Sequence, residues 1–121
     1  MGYESRVIIA RRFEVGNSYR CTEILAELKL SKMGDGFFQL FDKYIDFEFY
    51  APYVDGDIEV RTDKYGDRLR YASFKDVYKW CLANKYRDNY RRMDMLIALM
   101  QSIECGWYDE IDEFIVIHYG Y

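Results

Sequence analysis

The sequence predicts an α+β fold, a single domain over residues 1–121 in which helices pack on one face of a mainly antiparallel sheet. Three observations predict it. Several segments alternate apolar and polar residues with the period of a half-buried strand. Two later segments repeat apolar residues at helical spacing. The C-terminal segment is apolar at every position from Phe114 to Ile117. With 121 residues, 50% of them apolar and 19% aromatic, the chain can bury one proper core and is not a disordered or low-complexity segment.

Residues 5–15 read as a strand with Val7, Ile9, Phe13 and Val15 on one face, provided Arg11 is tolerated there. Gly16-Asn17-Ser18 is a turn signal. Residues 20–31 alternate Ile24, Ala26, Leu28 and Leu30 against Glu23, Glu27 and Lys29, a strand pattern. Ile24, Leu25 and Leu28 also suit a helical stripe, but a hairpin with the first strand is preferred. After the break at Gly34-Asp35-Gly36, the residues Phe37, Phe38, Leu40, Phe41 and Tyr44 suit a helix of about two turns. Ile45, Phe47, Phe49 and Ala51 then alternate with Asp46, Glu48 and Tyr50 as a strand that Pro52 ends.

Asp55-Gly56 marks a hairpin turn into Ile58 and Val60, and a second break at Tyr65-Gly66-Asp67 leads into a strand at Arg68–Ala72 with Leu69 and Tyr71 on one face. Ser73 followed by Asp76 is close to a capping box. It opens a helix with Phe74, Val77, Tyr78, Cys81 and Leu82 at helical spacing. A second helix, starting near Asp88, carries Met93, Leu96, Ile97, Met100 and Ile103 and ends at Gly106. Phe114–Tyr119 should be an interior strand, inserted among the earlier ones because both its faces need cover. The expected order is β-β-α-β-β-β-α-α-β.

The chain has 17 basic and 21 acidic side chains, a net charge of −4. That balance argues against direct nucleic-acid binding, which needs a cationic surface. Cys21, Cys81 and Cys105 are odd in number and widely spaced, and His118 is the single histidine, so no zinc pattern is present and no metal or cofactor is expected. Three reduced, mostly buried thiols suit a cytoplasmic protein. The opening residues carry no signal-peptide pattern, and no apolar run approaches the length of a membrane span.

Few patterns carry chemistry. His118 is the one side chain that titrates near neutral pH, but it lies in an apolar strand with no nucleophile at a recognisable spacing. Asp55-Gly56-Asp57-Ile58-Glu59 alternates carboxylates as a hairpin does and lacks the spacing of a calcium loop. Asp109, Glu110, Asp112 and Glu113 form an acidic cluster that is either a solvated loop or a surface for a basic partner. Arg87 and Arg91 lie with Arg92, Tyr86 and Tyr90 near the start of the last helix, and Arg68 and Arg70 lie with Tyr71. Such groups pair within a chain or serve protein interfaces. Thirteen tyrosines would mark a binding face if an excess lay exposed on one side.

Three segments carry a resemblance: Met1-Gly2-Tyr3-Glu4-Ser5, then Asp63-Lys64-Tyr65-Gly66-Asp67-Arg68-Leu69 with Ser73-Phe74-Lys75-Asp76-Val77-Tyr78-Lys79-Trp80, and His118-Tyr119-Gly120-Tyr121. Together they resemble small phage and prophage proteins of Gram-positive bacteria, a group that includes host-defence inhibitors such as anti-CRISPR proteins. The resemblance implies a non-enzymatic accessory protein in the host cytoplasm. Its partner would be a host protein, such as a nuclease or another nucleic-acid-binding defence effector. The acidic cluster would occupy a basic channel of that partner, with the Arg/Tyr groups fixing orientation. Charge reversal of all four acids is then expected to weaken binding and leave stability nearly unchanged. The alternative is a small-molecule binder or small enzyme with a tyrosine-lined pocket near His118. Self-association through a sheet edge or the Arg/Tyr face is compatible with either.

Overall fold

The chain builds its sheet around its two ends, in a computed structural model that describes residues 5–15, 18–30, 35–46, 48–51, 58–59, 68–84 and 91–120. Strand β1 (Ser5–Val15) pairs on one side with β2 (Ser18–Leu30) and on the other with the C-terminal strand β7 (Phe114–Gly120). Beyond β7 come β6 (Arg70–Ser73) and the two-residue edge strand β3 (Lys43–Tyr44). The five strands β3-β6-β7-β1-β2 are antiparallel throughout. One pairing departs from that expectation: β4 (Glu48–Ala51) runs parallel to β2, and β5 (Ile58–Glu59) pairs antiparallel with β4.

The run Phe114-Ile115-Val116-Ile117 is buried at every residue because β7 lies inside the sheet and both its faces are covered. Phe114 and Val116 join a cluster with Val7, Ile9, Ala72 and the apolar sides of the helices. Ile115 and Ile117 join a second cluster with Ile8, Ala10, Ile45, Leu69 and Tyr71. The helices therefore pack on one face, and on the opposite face Ile45, Leu69 and Tyr71, at the β3–β6 side of the sheet, pack with the residues of β1 and β7. Strand β1 shares this double burial from Val7 to Ala10, although its spacing suggests one buried face.

Bulges explain why β2 is less regular than its alternation. Ile9 pairs with Ala26 but Ala10 pairs with Ile24, which leaves Leu25 as an extra residue; a second shift leaves Thr22 between the partners of Arg11 and Arg12. Leu25, Ala26 and Leu28 consequently pack against the helix-side cluster while Ile24 turns to the other. Residues 20–30 are strand and not helix, and Ser31 lies outside the described residues.

The short helix departs most from expectation. Helix α1 is a single turn, Asp35–Phe38, continued by tighter bonds from Leu40 N to Phe37 O and from Phe41 N to Phe38 O. This bury-and-turn arrangement sends Phe37 and Phe41 into the core, with ring centroids 5.4 Å apart and Trp80 5.4 Å from Phe37. The next residues find backbone partners on β6 instead of in a second helical turn. Tyr44 pairs with Arg70, and Ile45 N donates to Leu69 O at 3.1 Å. Of the strand expected over residues 45–51, Glu48–Ala51 forms β4, and the observed order gains β3 before it and a 3₁₀ helix at Tyr108–Glu113.

Helix α2 (Phe74–Asn84) begins where its cap predicts: Asp76 N donates to Ser73 Oγ at 3.2 Å. Phe74, Val77 and Cys81 are its buried stripe, and Phe74 meets Phe114 at 6.2 Å. Helix α3 (Arg91–Gly106) buries Met93, Leu96, Ile97, Met100 and Ile103 as the spacing indicates. Its expected start near Asp88, the Asp55-Gly56 turn and Pro52 lie outside the described residues. Among the described residues, no helix is long and apolar enough to cross a membrane.

The cap and the core residue behind it differ in expected cost. Ser73→Ala should lower unfolding free energy by about 1 kcal/mol, and Phe74→Ala by about 3–5 kcal/mol. Urea unfolding with an unchanged m-value checks both, and equal costs would contradict the separation of cap from core.

Candidate binding surface

The acidic segment is not a solvated loop. Trp107 N donates to Ile103 O at 2.8 Å as α3 ends, and Glu110 N donates to Trp107 O at 3.0 Å as the 3₁₀ helix begins. Ile111 is the buried anchor of that helix, and the half-buried Trp107 packs edge-on against Phe114 at 5.9 Å. Anchoring at these two positions directs the remaining side chains outward.

The four acids then divide into two pairs. Arg11 lies over the Trp107 ring at 5.6 Å and donates from Nε to Glu113 Oε2 at 2.6 Å. This contact shows how the strand tolerates a cation on its apolar side. Lys75 Nζ lies 2.6 Å from Asp112 Oδ1, and the hydrogen bond to Asp112 pushes the lysine pKa up. Asp109 and Glu110 form no ion pair among the described residues, and Asp109 is exposed beside Tyr108, itself 73% exposed. A half-open cavity of about 320 Å³ lies here, lined by Lys75, Glu104, Tyr108, Asp109, Ile111 and Asp112. Three carboxylates face one ammonium group, so the cleft favours a cation.

The Arg/Tyr residues assemble elsewhere. Arg70 pairs across the ladder with Tyr44 on one side and His118 on the other. Arg68 and Arg70 both stack on Tyr44. His118 is covered by Phe38 at 5.0 Å and Phe41 at 5.7 Å. It therefore sits in an aromatic stack, and the acidic cavity is not built around it. Phe114 and His118 are four residues apart on β7, so the acidic and Arg/Tyr sites are separated by roughly 13 Å along the strand. They form two poles and not one constellation.

Arg87 and Tyr90 lie outside the described residues, as does the side chain of Arg91, which begins α3. Among the tyrosines whose side chains are described, Tyr71 is buried, Tyr78 and Tyr119 are half-buried, and Tyr44 and Tyr108 are exposed, one at each of these two sites. Sequence reasoning missed Tyr44, Glu104 and Tyr108, whose importance arises from packing between distant segments. Among the described residues, no group of three or more His, Cys, Asp or Glu side chains is placed to hold a metal ion.

The fold and surface define a small α+β domain with two charged, aromatic-edged poles. No protein-family model, curated protein or solved structure matches the chain.

The thiols are not equivalent: Cys81 is buried and Cys105 is exposed, against an expectation of mostly buried thiols. Burial pushes the Cys81 thiol up from its ordinary value of 9.0 to about 12. At pH 8, iodoacetamide should modify Cys105 in the folded protein and Cys81 only after unfolding, as read by peptide mass mapping. The raised pKa favours the protonated thiol in the folded state, so its stabilising effect is lost as pH rises from 9 toward 12. In that window wild-type stability should fall more steeply than that of Cys81→Ala, by up to about 1.4 kcal/mol per pH unit.

Proposed function

We propose that the protein is a non-enzymatic phage accessory protein that acts by binding a host protein through its acidic pole. The observation that carries this reading is the open cleft at the 3₁₀ helix, where exposed Tyr108 and Asp109 stand beside Glu104 and Asp112. A tyrosine offers rigid contact area with a polar tip, and the surrounding carboxylates accept from lysine or arginine. Such a surface complements the basic channel of a nucleic-acid-handling enzyme. The resemblance to small phage and prophage proteins supports a defence nuclease as the partner and an anti-CRISPR-like inhibitor as the role. Electrostatic complementarity would supply specificity and a fast approach, with no bond made or broken.

The structure also refines the charge-reversal test. Reversing Glu113 would break its bond to Arg11, and reversing Asp112 would remove the Lys75 pair. Asp109→Lys with Glu110→Lys leaves both pairs in place. This double variant should keep the wild-type unfolding midpoint and bind the partner about tenfold more weakly or worse. The check is a pull-down from lysate of a Gram-positive bacterium at low and high salt, followed by titration of the captured protein. Capture that resists salt and is unchanged in the variant would refute the acidic-pole reading.

A further inference from the structure

The Arg/Tyr edge differs from the Arg6 and Arg11 sites in how its charge is balanced, and resembles Arg12, which lies over the Tyr71 ring at 5.5 Å and donates to its hydroxyl. Arg6 pairs with Glu27 and Arg11 with Glu113. Arg68 and Arg70 instead share a single aromatic ring: their guanidinium carbons lie 5.0 and 4.8 Å from the Tyr44 centroid. Arg68 Nη2 donates to Ile45 O at 3.2 Å, and Arg70 Nη2 donates to Tyr44 OH at 2.9 Å. Among the described residues, neither makes an ion pair with a carboxylate. Asp42 and Asp46 are exposed nearby in sequence, and Lys43 is an exposed cation on the same edge strand.

This arrangement ties two guanidinium groups to one ring, their carbons at most about 9.8 Å apart, and among the described residues neither is paired with an anion. Like charges at such spacing raise each other's energy, and the face of the ring offsets part of that cost. A bound anion would relieve the rest. The anchors also restrict both side chains before any ligand arrives. Each guanidinium has five N–H donors and commits one of them to its anchor, leaving a fork that suits a tetrahedral oxyanion. The site is open, since both arginines are exposed, Tyr44 is 44% exposed and β3 is the edge strand of the sheet.

From this geometry we infer that Arg68, Arg70 and Tyr44 form a binding site for the phosphate group of a phosphorylated ligand. A phosphate monoester carries nearly two negative charges at neutral pH and matches the two guanidinium groups better than a single carboxylate does. A long polyanion fits less well, because the flanking Asp42 and Asp46 and the net charge of −4 oppose it. This site lies toward the other end of β7 from the acidic cleft and does not depend on the proposed protein partner.

The test uses the full-length, nitrogen-15-labelled protein and inorganic phosphate at fixed ionic strength, with chloride as the comparison. The arginine side-chain Nε–H resonances of Arg68 and Arg70 should shift saturably with phosphate and not with chloride. Arg68→Gln with Arg70→Gln should abolish the shift in a protein whose amide spectrum stays dispersed. Arg68→Lys with Arg70→Lys keeps the charge but loses the fork, and should weaken binding on the order of tenfold. A nucleoside monophosphate and a phosphoserine peptide then distinguish the source, since the true class should bind more tightly than inorganic phosphate. The inference is overturned by a shift that does not saturate, by an equal response to chloride or by an undiminished response in the glutamine variant. It is also overturned if neither phosphorylated ligand exceeds inorganic phosphate.

Discussion

The burial of β7 on both faces is the constraint on which the rest of the structure depends. This strand reaches the interior of the sheet only by lying between β6 and β1, so the last segment of the chain must pair with the first. Its alternate side chains enter two different clusters, Phe114 and Val116 on the helix side and Ile115 and Ile117 on the other. Neither layer is complete without it. The pairing of residues 5–11 with 114–120 is also a contact of high sequence separation, which makes late closure of the sheet the physical expectation.

The same strand sets the position of both surface poles. At its start, Phe114 supports Trp107, on whose ring Arg11 lies while binding Glu113. Near its end, His118 lies beside Arg70, which reaches the other way to Tyr44. The ring of His118, capped by Phe38 and Phe41, fills the interior side of that row. The one histidine thus acts as a layer of an aromatic stack, and Arg70 beside it reaches toward Tyr44 on the edge strand.

What the sequence made legible was whatever depends on near neighbours along the chain. Ser73 and Asp76 are three residues apart, and the cap they predict is present. Leu69 and Tyr71 alternate and do share a face. The α3 stripe follows from helical spacing alone, and so does the α2 stripe at Phe74, Val77 and Cys81, whereas Leu82, expected with them, is exposed. Bulges were not legible, because the extra residue at Leu25 is defined by what Ile9 and Ala10 pair with on another strand. The short α1 was hidden for the same reason: a competing partner on β6 takes the chain from Tyr44 onward. At the candidate sites the ion pair between Arg11 and Glu113 spans 102 residues, and the bond between Arg70 and Tyr44 spans 26. Residue types indicated charge and stacking, but only the fold decided which charges meet.

A net charge of −4 consequently says little about what either end of the molecule attracts. The Arg11–Glu113 and Lys75–Asp112 pairs neutralise part of the acidic cluster, so its character is concentrated at Asp109 and Glu110 beside Tyr108. At the other pole two guanidinium groups lie over one ring, with Asp42 and Asp46 close by in sequence. Separated charge of this kind gives a molecule an orientation in the field of a partner before contact, which total charge alone cannot do. In the proposed binding mode the acidic pole leads toward a basic surface, and the arginine pair, roughly 13 Å away along β7, biases that approach in the same sense.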